Sequence, residues 1–126
     1  MVADPFCLRS ERPARDAGEA LARPEVRAVF VVDDDGRLVG VVTRNTLVRE
    51  VVAAGRDPQS TPLGEIAESP NATIDSETPL TDGFAFMEER DYERVPVVDE
   101  GRLVGVLARA VVQRRLAEDD PPADGE

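Results

Sequence analysis

The sequence predicts an α/β (α+β) protein built from two βαββα units, and three observations carry that prediction. The segment VFVVDDDGRLVGVVTRNTLVREV (29–51) returns as VPVVDEGRLVGVLARAVVQRRL (95–116). Upstream of it, Leu8, Ser10, Glu11, Pro13 and Asp16 recur as Ile74, Ser76, Glu77, Pro79 and Asp82, an offset of 66 residues. Past the first turn the offset falls to 65, because DDDG (33–36) has become DEG (99–101). A length change confined to a turn is what duplication of a supersecondary unit leaves behind. In a chain of 126 residues each repeat alone would be marginal, so the two halves are expected to form one body with a shared core.

Each repeat reads strand, helix, strand, strand, helix. Short strands are predicted at 6–9 and 72–75. SERP (10–13) and SETP (76–79) follow as helix starts, in which Ser caps free amides and Pro suits the first turn. The helices are predicted at 14–22 and 80–90, with apolar faces Ala14, Gly18, Leu21 and Leu80, Phe84, Met87. Gly18 stands where the second copy has Phe84, so the halves cannot pack symmetrically, and a second chain is a candidate for the space Gly18 leaves. The Val-rich runs 29–32 and 38–42 flank an Asp-Gly turn, which signals a hairpin. Gly40 and Gly105 are expected to permit close helix approach over the sheet. Final helices are predicted at 46–54, ending before Gly55, and at 109–117. Between the halves, 55–71 is a linker in which Thr61 and Pro62 open a short helix.

Composition excludes several function classes. With 26 acidic and 15 basic residues, all of the latter arginine, the net charge of −11 opposes binding to a polyphosphate backbone, so nucleic acid is not an expected partner. No apolar run long enough to span a membrane and no secretory signal is visible, and a cytoplasmic location is expected. The chain has no histidine and a single cysteine, Cys7, so an internal disulfide and the usual zinc and iron ligand sets are absent. Cys7 is expected to be a buried strand thiol, and Asp33, Asp34 and Asp35 a solvated turn rather than a metal loop. No nucleophile-base pair or phosphate-cradling glycine loop appears, so the chain is not expected to be an enzyme.

Two hairpins of the form RVPVVDEGRLVGVL (94–107), each preceded by a strand and helix and followed by a helix, resemble a tandem pair of cystathionine-β-synthase (CBS) motifs, the Bateman module. The resemblance covers about residues 5 to 117 and implies a first motif at 5–54, the linker at 55–71 and a second motif at 72–117; the tail EDDPPADGE (118–126), with five acidic residues, two prolines and no large apolar side chain, is expected from its composition to be disordered. The resemblance further implies that the motifs pack with pseudo-two-fold symmetry, that two chains form a homodimer, and that two composite clefts lie between the motifs. Many family members bind AMP, ADP, ATP, S-adenosylmethionine or dinucleotides in such clefts. The family signature there is G-h-h-T-x-x-D, with h apolar. Its hydroxyl and helix-terminal amides face phosphate, and its Asp takes both ribose hydroxyls.

This chain departs from that signature in both copies. GVVTRNT (40–46) keeps Thr43 but puts Thr46 at the Asp position, and GVLARAV (105–111) has Ala108 and Val111 at the two positions. By resemblance, one cleft would be formed by Thr43, Arg44, Asn45 and Thr46 with Ile66, Thr73, Arg94, Val95 and Pro96, the last group including a basic residue turned toward phosphate. The other cleft is expected to be inactive. Losing the carboxylate weakens ribose binding by about tenfold or more. The expectation is a stand-alone CBS-pair regulatory protein that senses an adenosine-containing ligand in one cleft and signals to a client protein. The alternative is a ligand-independent dimerisation or protein-interaction module. No cofactor is required in either reading.

Overall fold

The computed structural model describes residues 7–70 and 72–119. It divides into two compact units, of which the described residues are 7–70 with 101–103 in the first and 72–100 with 104–119 in the second. Each unit has its own hydrophobic cluster, where the sequence led us to expect one shared core. A helix laid on one face of a three-stranded sheet is enough to enclose such a cluster.

In the first unit, strand β1 (Cys7–Arg9), helix α1 (Ala14–Leu21), strands β2 (Val29–Val32) and β3 (Leu38–Val42), helix α2 (Arg44–Leu47) and a short helix α3 (Leu63–Ile66) follow in order. Strands β1 and β2 run parallel with Leu8 opposite Val31, and α1 is the crossover that a parallel pair needs. β3 pairs antiparallel to β2, with Val31 opposite Gly40 and an irregularity between Val31 and Val32. The final helix expected at 46–54 begins instead at Arg44, because Thr43 is its N-cap, and it widens into a π-helical turn over Val48–Val52. Cys7 is half-buried rather than buried.

The expected Ser10 cap of α1 is not found. Pro13 occupies the N-cap position and has no hydroxyl to offer. The free amides at the helix start are met by the linker: Ala14 N–H donates to Thr61 O at 2.8 Å and Arg15 N–H to Pro58 O at 3.0 Å. The pairing is reciprocal, since Leu63 N–H donates to Arg12 O at 2.8 Å and Gly64 N–H to Ser10 O at 2.9 Å. The α1 face turned into the core is Ala14, Ala17 and Leu21, packed with Val29, Val31, Val42, Leu63 and Ile66. Gly18 is not on that face, and a Cβ built there would meet only Leu47 Cδ1, at 3.8 Å.

The second unit repeats the order with strand β4 (Ile74–Asp75), helix α4 (Leu80–Arg90), strands β5 (Arg94–Asp99) and β6 (Arg102–Ala108) and helix α5 (Arg109–Asp119). β4 runs parallel to β5, with Ile74 opposite Val97. The first turns of the two units correspond closely: Ser76 N–H donates to Val98 O at 2.8 Å as Ser10 N–H does to Val32 O at 2.7 Å. Pro79, like Pro13, sits at the N-cap without a side-chain bond, so Ser76 is not a cap either. Gly83 and Met87 are buried against Ile74, Val95, Val97, Leu107 and Val112, while Leu80 and Phe84 pack partly buried beside them. Phe6 and residues 120–126 of the expected tail lie outside the described residues; α5 reaches Asp119. Among the described residues, no helix is long and apolar enough to cross a membrane.

The one-residue slip between the repeats is a change of turn type. In the first hairpin Asp33 Oδ1 accepts from the amides of Asp35 and Arg37, both at 2.9 Å, and only Gly36 has a positive φ, 82°. In the second, Glu100 and Gly101 both have positive φ, 52° and 84°, as a two-residue type I′ hairpin turn requires.

Gly40 answers a different constraint from the one its place in the sequence implied. What crosses it is no helix but the extended chain after α3: a Cβ on Gly40 would lie 2.5 Å from Glu68 O and 3.0 Å from Ala67 Cβ. Gly40→Ala is therefore expected to lower stability by about 1 to 3 kcal/mol, since a backbone carbonyl cannot step aside. Gly83→Ala should do the opposite. Its Cβ would meet only the side-chain ends Leu107 Cδ1 at 3.4 Å and Ile74 Cδ1 at 3.7 Å. The helix then gains up to about 1 kcal/mol from the better helix former. Urea denaturation of the two variants beside the parent checks both signs.

Candidate functional site

The strand-to-helix junction of the first unit holds the two threonines at the ends of the T-x-x-T sequence. Thr43 has an extended backbone (φ −119°, ψ 178°) and caps α2. Its Oγ1 accepts from Thr46 N–H at 3.3 Å, and Thr46 Oγ1 accepts from Thr43 N–H at 3.0 Å, a reciprocal capping box. The two hydroxyl oxygens are 3.1 Å apart. Thr46 is fully buried and donates its own proton to Glu68 Oε2 at 2.5 Å. Since that proton goes to Glu68, the contact between the hydroxyls is donated by Thr43, and Thr46 Oγ1 is left with no free hydrogen-bonding capacity.

Glu68 is therefore part of this junction, although its sequence position does not announce it. Its backbone is paired with β3: Val41 N–H donates to Glu68 O at 2.8 Å and Glu68 N–H to Val41 O at 2.9 Å. The other carboxylate oxygen, Oε1, accepts from Arg49 Nη2 at 2.6 Å. Both side chains of this ion pair remain about half exposed, 53% for Arg49 and 45% for Glu68.

The remaining expected residues fall into two groups. In the first unit, Arg44 is held away by its bond from Nη2 to Arg23 O at 2.9 Å, Asn45 is exposed, and the Ile66 side chain is buried in the hydrophobic cluster. Thr46 and Ile66 thus present no free side-chain group to a ligand, because burial and, for Thr46, internal bonds have used them. In the second unit, Thr73 and Arg94 are exposed while Val95 and Pro96 are buried in β5. Arg94 has no ion pair or side-chain hydrogen bond among the described residues.

The equivalent junction of the second unit has apolar residues in place of both threonines. Ala108 and Val111 line a depression of about 10 Å³ with Leu80, Val106, Leu107, Val112 and Arg115, room for at most one water. The next residue, Arg109, is engaged elsewhere, its Nη1 bonding Asp91 Oδ1 at 3.1 Å. A larger feature lies on the first unit: a groove of about 400 Å³ lined by Ala14, Gly18, Ala22, Leu47, Val51 and Val52, with Arg15 and Glu19 at its edge.

The family model for the CBS domain matches residues 1–53 and 63–118. Hypoxic response protein 1 of Mycobacterium tuberculosis is 31% identical over 118 residues, which is 94% of this chain and 82% of that protein. Its crystal structure, described as holding two coordinated zinc ions, superposes with a TM-score of 0.74 at 30% identity, covering 91% of this chain and 94% of that one. CBSX2 in complex with AMP gives a TM-score of 0.69 at 25% identity over 91% of this chain and 89% of that one. Inosine-5′-monophosphate dehydrogenase of Mycobacterium bovis is 30% identical over 109 residues, 85% of this chain but only 20% of that enzyme. With two matched motifs in tandem, each an α+β unit of one sheet and its helices, the chain belongs to the CBS-domain family and is a CBS pair.

Proposed function

We propose that this CBS pair is a regulatory protein that senses an adenosine-containing ligand, such as AMP, ADP, ATP or S-adenosylmethionine, and passes its occupancy to a client protein. The observation that carries the reading is Thr43, a half-exposed hydroxyl just after β3 whose proton, donated to Thr46, can turn to a ligand oxygen in exchange for that bond. AMP in the CBSX2 complex supports the ligand class. Arg94, exposed and without an ion pair among the described residues, is assigned to phosphate by the family resemblance. The reading includes no reaction, no required cofactor and a cytoplasmic location, where such nucleotides are found. It takes over no zinc from the mycobacterial relative, because this chain has no histidine and one cysteine.

A second reading, a ligand-independent dimerisation or interaction module, is favoured by the α1 groove. Val52 beside it is 73% exposed and Val48 58%, an apolar surface of the kind that marks a partner site. Arg15 and Glu19 stand one helical turn apart on the groove's edge, neither ion-paired among the described residues. In a two-fold arrangement each Arg15 meets the other copy's Glu19, which makes the surface self-complementary. A second copy of the chain is therefore the proposed occupant, and homodimerisation belongs to both readings.

Thermal shift with AMP, ADP, ATP and S-adenosylmethionine tests the first reading. A ligand at about 100 times its dissociation constant adds roughly 2.7 kcal/mol, on the order of 10 °C for a domain of this size. The shift is expected to fall in Thr43→Ala and in Arg94→Ala, each measured against its own unliganded midpoint, and to persist in Ala108→Gly. No shift with any of the four removes the sensing reading. Light scattering tests the dimer: a dimer is expected at micromolar concentration and a folded monomer for Val52→Asp, whereas a monomeric parent protein contradicts it.

A further inference from the structure

The junction contains a carboxylate that neither the motif nor its spacing assigns. We infer that Glu68 is the ligand-binding carboxylate of the first unit, accepting the vicinal hydroxyls of a ribose, with Thr46 and Arg49 as its positioning residues. The inference rests on the sensing reading above and names the group that makes it specific.

The argument begins with what holds Glu68. Its backbone is fixed to β3 by the two hydrogen bonds with Val41, and the approach exists only because Gly40 carries no Cβ. The side chain is then pinned at both oxygens, Oε2 by the buried Thr46 hydroxyl at 2.5 Å and Oε1 by Arg49 at 2.6 Å. An ionised carboxylate has about four lone-pair sites, so two of them remain, one on each oxygen. At 45% exposure the side chain can offer that remaining pair outward. Because the carboxylate is already immobilised, little further side-chain entropy is lost when a ligand arrives.

The chemistry of the neighbours selects the ligand group. A phosphate is repelled by the carboxylate. A cation is poorly favoured, since the Arg49 guanidinium already stands 2.6 Å from Glu68 Oε1, shared with Glu50 Oε2 at 3.4 Å, and no group of three or more metal-ligating side chains is present among the described residues. Paired uncharged donors remain, and a vicinal diol supplies two O–H groups to the two acceptor oxygens. Thr46 cannot take this role itself, because its oxygen is saturated. The carboxylate missing from position 46 is thus supplied from 22 residues away, by the other end of the hydrogen bond that Thr46 donates.

Titration calorimetry with AMP, 2′-deoxy-AMP and 3′-deoxy-AMP tests the assignment. The parent protein is expected to bind AMP about tenfold or more tightly than either deoxy form. Glu68→Gln should bring that ratio close to one by weakening AMP alone, and Thr46→Val should reduce it in part. A brace with only a structural role would change all three affinities together. If the parent binds AMP and the deoxy forms equally, or Glu68→Gln keeps the full ratio, the Glu68 assignment is overturned while the sensing reading stands. If the parent binds none of the three, the Glu68 assignment falls, and the sensing reading falls with it only if ADP, ATP and S-adenosylmethionine also give no thermal shift. Thr46→Val, which removes the hydroxyl bonded to Glu68 Oε2, keeps the assignment testable should Glu68→Gln fail to fold: an unchanged ratio in a folded Thr46→Val overturns the positioning role.

Discussion

The paired hydrogen bonds between Val41 and Glu68, 2.8 and 2.9 Å long, join the chain leaving α3 to the exposed side of β3, and much of the first unit is arranged around that junction. The pairing brings two backbones together over Gly40, where any side chain would strike Glu68 O. It anchors one end of a segment whose other end completes α1, through the bonds from Ala14 and Arg15 to Thr61 O and Pro58 O. Between these ties, Leu63 and Ile66 enter the hydrophobic cluster. The stretch read as a linker is therefore structural cover for the first unit, and buried backbone groups that a free linker would leave to water are paired within it.

The same junction determines the polarity of the candidate site. A threonine at position 46 in place of an acid is buried with its hydroxyl fully used, which would be costly without a partner for each bond. The partners are the Thr43 cap on one side and Glu68 on the other, so a change in one residue type is coupled to a carboxylate on a different segment. In the second unit neither hydroxyl is present, and Ala108 and Val111 line a small, mainly apolar depression instead. Duplication kept the architecture of both junctions and left hydrogen-bonding chemistry in one.

The contrast between the two first helices has a similar origin. Ala17 and Gly83, equivalent in the repeat, are the small residues that let each helix lie on its own sheet. Gly18 and Phe84 are one residue further round. Phe84 packs partly against the second cluster, whereas Gly18 opens the groove beside Leu47 and Val51. A simple i, i+4, i+7 reading of α1 placed Gly18 inside because Leu21 and Ala14 fit that phase. The wide apolar stripe of a short helix leaves the phase uncertain by one residue, and contact with the sheet settles it.

The sequence by itself determined the family, the order of the elements and most of their limits, since strands 29–32 and 38–42 and helix 80–90 fall where the patterns place them. Such features depend on local periodicity, turn residues and a repeat that can be compared with itself. It also determined that the second copy lacks both polar residues of the motif. Tertiary structure alone decided that Pro13 and Pro79, not Ser10 and Ser76, sit at the helix caps, that Gly40 yields to a crossing backbone, and that Thr46 meets Glu68. These depend on which distant segment closes over a given residue, and no spacing along the chain encodes a bond between side chains 22 positions apart.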